Sequence, residues 1–131
     1  MNATDTHQAV SLFLKAVTDL DQYWSDIYNE IGKADSETQD LLHEAELSKM
    51  NASEGFTLAA KLQEVRQRRR RNKNEQEALK PLKEWSDKHK QTAIDLYKVL
   101  TAMQRVLETQ QARQYHPRIR TDLKICKGVN P

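Results

Sequence analysis

The chain has a single cysteine, Cys126, so it can form neither an intramolecular disulfide nor a thiolate-rich zinc site, and nothing in it calls for an oxidising compartment. No apolar stretch approaches the roughly 20 residues that a membrane span needs. The N-terminus lacks the charged region of a signal peptide, its first basic residue being Lys15. A cytoplasmic location without a membrane partner is therefore the expectation. Three glycines and three prolines among 131 residues do not suit a sheet of short strands or a disordered tail. What remains, 37% hydrophobic and 31% charged, suits helices rich in Ala, Leu, Glu, Lys, Arg and Gln, and the length fits one domain over residues 1–131.

Charge is unevenly distributed. Residues 1–60 hold three Lys/Arg against eleven Asp/Glu, a net of −8. Residues 61–90 hold eleven against five, a net of +6, and residues 91–131 seven against three, a net of +4. The total of +2 thus hides an acidic half and a basic half. Two readings follow: the acidic helices pack on the basic one and satisfy it internally, or the acidic surface imitates nucleic acid and enters a partner's basic channel. Internal pairing is the simpler reading, because the two charge blocks are large enough to satisfy each other.

Apolar spacing predicts an all-α bundle of three long helices plus one short helix, with an extended C-terminal tail. From an N-cap at Thr4 or Asp5, Val10, Phe13, Val17, Leu20, Trp24, Ile27 and Ile31 recur at steps of three and four, a heptad seam that Gly32 should stop. Ser36-Glu37-Thr38-Gln39 has the form of a capping box and opens a short helix burying Leu41, Leu42 and Ala45. Asn51, with Glu54 three residues on, caps a third helix whose seam of Leu58, Leu62 and Val65 turns polar at Arg69, Asn72 and Gln76. Pro81 should break the chain at residues 79–82. The stripe from Leu82 through Trp85, Leu96, Leu100 and Met103 to Leu107 then makes the last helix. The expected helices are residues 5–32, 36–48, 52–79 and 82–114. The tail, 115–131, alternates apolar and polar at Ile119, Thr121, Leu123 and Ile125. A break at Pro81 would let a monomer bury its seams; a helix continuing through it would leave stripes for a second copy, making a homodimer.

The run Arg66-Gln67-Arg68-Arg69-Arg70-Arg71-Asn72-Lys73 is the strongest functional signal. At about 100° per residue, consecutive arginines cannot share one job. The wheel turns Arg69 toward the bundle, where Asp40 or Glu44 should pair with it, because an unpaired buried guanidinium costs several kcal/mol. Arg68, Arg70, Arg71 and Lys73 are left as an outward basic face, joined by Arg118, Arg120 and Lys124 from the tail. Such a face can contact phosphates or an acidic protein; equally, it is the solvated side of a helix with Glu64, Glu75 and Glu77 as neighbours. No aromatic is interleaved to stack a base.

Catalysis and metal binding find little to work with. His43-Glu44 would need a second histidine four residues after the first to read as a helical zinc motif, and Leu47 stands there. His89 lies on the last apolar stripe with no nucleophile at helical spacing, as a boundary histidine would. The carboxylates Asp19, Asp21, Asp26 and Glu30 are scattered and do not form the paired sets of a di-metal bundle. The expectation is a protein that is not an enzyme and carries no cofactor or metal.

The stretches Asp40-Leu41-Leu42-His43, Leu62-Gln63-Glu64-Val65-Arg66, Arg69-Arg70-Arg71-Asn72-Lys73 and Leu79-Lys80-Pro81-Leu82 resemble a class of small, mostly uncharacterised helical proteins encoded by phages and prophages of Gram-positive bacteria. The resemblance implies a mobile-element context within a bacterial host cell, where small binding proteins regulate phage genes or block host defence enzymes. It assigns no functional residue. The expected function is thus a non-catalytic binding protein acting on a protein that handles nucleic acid. Direct nucleic-acid binding through the arginine face is the main alternative, and a structural or oligomeric phage component is the other.

Overall fold

The structure, a computed structural model, describes residues 1–113 and 119. Of the expected tail, all but Ile119, and with it Arg118, Arg120 and Lys124, lies outside the described residues. Among the described residues the chain is all helical: α1 is Ala3–Leu47, α2 is Ala52–Lys88 and α3 is Lys90–Gln111. The all-α expectation holds, but the helices are divided differently.

α1 starts two residues earlier than expected. Asn2 is its cap, accepting from the Asp5 backbone N–H at 2.9 Å, while the Asn2 N–H donates to the Asp5 carboxylate at 3.4 Å. The helix then runs through Gly32 and joins what the sequence divides into a long and a short helix. Burial supplies the reason: the seam of Ile27 and Ile31 continues at Ala34, Thr38 and Leu41 at heptad spacing, with Ala34 fully buried. A helical Gly costs about 1 kcal/mol relative to Ala, and continuing that seam outweighs it. The supposed capping box is interior helix, with the Thr38 hydroxyl donating back to the Ala34 carbonyl at 2.9 Å.

Asn51 caps α2 as its sequence implies, accepting from the Glu54 N–H at 2.8 Å. α2 passes through Pro81 without ending. The proline and Glu77, whose carbonyl it deprives of a donor, are both exposed, so water can take the vacated bond. The break comes instead at His89, whose backbone N–H donates to the Ser86 carbonyl at 3.2 Å and whose own carbonyl accepts from Ala93 at 3.2 Å. His89 is exposed rather than set at a core boundary; its ring stacks on Trp85 with centroids 4.9 Å apart, and its Nδ1 lies 2.8 Å from the Trp85 carbonyl.

The residues group into two compact units. One is Lys15–Ala93, in which the rest of α1 and α2 form an antiparallel helical hairpin closed by residues 48–51. Its core is Val17, Leu20, Ile27, Ile31 and Ala34 from α1 against Val65 from α2. The other comprises Met1–Leu14 and the chain from Ile94, where the start of α1 accompanies α3 and, among the described residues, the buried apolar side chains are Leu14 and Leu100.

Candidate interaction surfaces

The arginine run lies in the middle of α2, and helical rotation distributes its members. Arg69 turns toward α1 as its phase requires, its side chain 23% exposed, and its Nε donates to Asp35 Oδ1 at 2.7 Å. Arg66 lies 3.7 Å from the same carboxylate. The acid is therefore Asp35, not Asp40 or Glu44. An unbroken α1 puts residue 35 opposite 69 in the antiparallel register that also brings Asp21 to Lys83 and Tyr23 to Glu75. A separate short helix folding back, as the capping box suggests, would have offered residues 40–44 instead.

Arg68, expected to face outward, is half-buried in an ion pair with Glu37. It borders a cleft of about 310 Å³ that Asp40, Glu64 and Lys61 also line. Arg70 and Arg71 are exposed, Lys73 is half-buried, and none of the three has an ion-pair partner among the described residues. On the wheel Lys73 lies about 60° from Arg70, whereas Arg71 lies about 100° away on the other side. The outward charges occupy two flanks of α2 instead of one basic face.

A second polar cluster clamps the far end of the hairpin. Lys83 Nζ reaches Asp21 at 2.8 Å and Asp87 at 2.9 Å, and Lys90 Nζ reaches the other oxygen of Asp21 at 3.0 Å. The hydrogen bonds from Lys83 and then Lys90 hold the Asp21 carboxyl below its usual range. The same bond to Asp21, followed by that to Asp87, raises Lys83. The Tyr23 hydroxyl donates to Glu75 at 2.8 Å, and this bond pushes the phenol up. At both clusters acids of α1 thus meet bases further along the chain: Asp35 and Glu37 meet Arg66, Arg68 and Arg69, and Asp21 meets Lys83 and Lys90, so three of the eleven acids in residues 1–60 are paired this way.

The closed end of the hairpin carries apolar residues that spacing alone did not single out. Leu47 is 80% exposed and Phe56 77% exposed, and Leu42 and Ala45, expected to be buried, also face solvent while Leu41 is half-buried. Beside them is a cleft of about 390 Å³ bordered by Glu44, Ser48, Met50, Ser53, Thr57 and Lys61, among others. Residues 40–56 contain Asp40, Glu44, Glu46 and Glu54 against Lys49, a net of −3. The sequence does carry a signal for this end: Leu47 and Phe56 fall off every apolar seam and flank a turn, where nothing remains to cover them.

His43 is exposed on α1, and among the described residues no three His, Cys, Asp or Glu side chains group as metal ligands would. Among the same residues no helix is long and apolar enough to cross a membrane. Comparison with protein-family models, curated proteins and solved structures finds no match to this chain.

Proposed function

We propose that the chain is a non-catalytic binding protein of phage or prophage type, working in the bacterial cytoplasm as a regulator or inhibitor of a protein that handles nucleic acid. The observation that carries this reading is the closed end of the hairpin. There Leu47 and Phe56, at 80% and 77% exposure, stand within a segment of net charge −3. Large apolar anchors surrounded by charge are the ordinary composition of a protein-binding hot spot and its rim. Proteins that bind nucleic acid present basic channels, to which an acidic rim is complementary.

The test is affinity capture from a Gram-positive host lysate, with and without nuclease, using the wild type and the Phe56→Ala variant. Capture of a distinct basic protein that survives nuclease and falls at least tenfold with Phe56→Ala is the expected result. Capture that vanishes with nuclease and is insensitive to Phe56→Ala would overturn it. The direct nucleic-acid reading draws on Arg70 and Lys73, which share a flank of α2 without ion-pair partners among the described residues. On that reading, Arg70→Ala lowers duplex affinity and flattens its salt dependence by about 0.9 in logarithmic slope for each phosphate no longer neutralised.

A further inference from the structure

α3 carries a wider apolar stripe than the start of α1 covers. Leu100 is buried and Leu96, Met103 and Leu107 are half-buried on one side of the helix. Turned about 80° from that side, Val99 and Val106 remain 51% and 55% exposed. With Ala3, Ala102 and Met103 they border an open, largely apolar cleft of about 430 Å³. The unit to which this helix belongs buries just two large apolar side chains among the described residues, Leu14 and Leu100.

The order of residues on the open face indicates which partner fits. Val99, Ala102, Met103 and Val106 are spaced symmetrically about a point midway between residues 102 and 103. If a second α3 is laid antiparallel about a two-fold axis through that point, each Val99 meets the other copy's Val106. Each Met103 then meets the other copy's Ala102, large against small. One turn further out, Asp95 comes beside Gln110 and within reach of Arg113, so the rim is polar and of opposite charge. A surface that is its own complement under a two-fold rotation is what an isologous dimer requires.

We propose that α3 is a dimerisation helix, with a second copy of this chain packed antiparallel on the face of Val99, Ala102, Met103 and Val106. The inference does not depend on the hairpin-end reading, which concerns other residues. Few side chains are involved per copy, so the contact belongs with small, transient interfaces, and association is expected at about micromolar concentrations or above.

Sedimentation equilibrium of the full chain across a concentration series tests this directly. The wild type should pass from a mass of 15.2 kDa at low concentration toward twice that value. Val99→Glu alone and Val106→Lys alone should each weaken association at least tenfold. The doubly substituted chain should regain it, because the antiparallel register sets each new acid beside the other copy's new base. Within one helix these positions are two turns apart and do not pair, so the rescue reports contact between copies. Helicity by circular dichroism should be unchanged in all three variants, since both valines are half exposed. A wild type that stays monomeric at several hundred micromolar would overturn the proposal. So would a dimer indifferent to the single substitutions, or a double variant that is not rescued.

Discussion

Within the hairpin the two helices hold the structure in different ways. α1 supplies Val17, Leu20, Ile27, Ile31 and Ala34 to the buried core, whereas α2 supplies Val65 and the buried serine Ser86. Opposite the isoleucines of α1, the facing positions of α2 are Arg69, Asn72 and Gln76, all half-buried. Burial of α1's apolar atoms provides the non-directional attraction, and α2's charges fix the register against Asp21, Asp35 and Glu37. A polar helix can therefore form half of a hairpin, provided its partner carries the hydrophobic stripe and the complementary charge.

The most severe test of that asymmetry is a matched pair of truncations. Ile27→Ala, at a site 3% exposed, should destabilise the fold by about 3 kcal/mol in urea denaturation. Leu79→Ala, at a half-buried site on α2, should cost about 1 kcal/mol. Equal losses would mean that α2 carries as much of the core as α1. Next in size is the arginine run. Arg69→Ala should cost about 1 kcal/mol, because its partner Asp35 is 50% exposed and solvent screens the pair. Replacing Arg70 and Arg71 with Ala should leave the melt within about 0.5 kcal/mol of wild type. Destabilisation by the outer pair with a silent Arg69→Ala would show that the charges do not set the register.

Gly32→Ala should stabilise α1 by about 0.5–1 kcal/mol, since a Cβ built there meets nothing within 4 Å and the residue sits mid-helix. A drop in melting temperature would contradict an unbroken α1. The smallest effect is on pH dependence. Asp21 is lowered, so its contribution is present above about pH 4 and is lost as the pH falls through its folded value. Lys83 and Tyr23 are raised, so their contributions hold below about pH 10 and are lost as the pH rises through their folded values. Stability followed by denaturant midpoint should be level in between, and Asp21→Asn should flatten the acid limb by a small margin, because the site is open to water.

Helical class, the cap at Asn51 and the inward phase of Arg69 were all legible, because each rests on local chemistry or on the 3.6-residue period. The helix boundaries were not. Gly32 and Pro81 are strong punctuation in an isolated peptide, but the heptad seam passing Gly32 through Ala34 and Thr38 is built of small residues that a count of large apolar side chains overlooks. Once that boundary was misplaced, the partner of Arg69 shifted from Asp35 to Asp40 or Glu44. Arg68 illustrates a different difficulty: its position at the edge of the stripe looks exposed until Glu37 on the facing helix draws it in. The exposed end at Leu47 and Phe56 is legible only from what the seams leave out, since periodicity describes what a helix buries and both residues fall outside every stripe.

The short connection 48–51 also bears on the order in which the hairpin assembles. Counting outward from it, cross-helix bonds span 34 residues at Asp35–Arg69, 52 at Tyr23–Glu75, 62 at Asp21–Lys83 and 69 at Asp21–Lys90. Each bond made near the turn shortens the free loop that the next one must close, so the entropic cost of every later step falls to that of a short closure. Assembly then resembles a zipper started at the turn. Substitutions near residues 35–38 and 65–69 should therefore slow formation of the hairpin, and those around Asp21 and Lys83 should mainly speed its opening, as folding and unfolding rates of the variants would show.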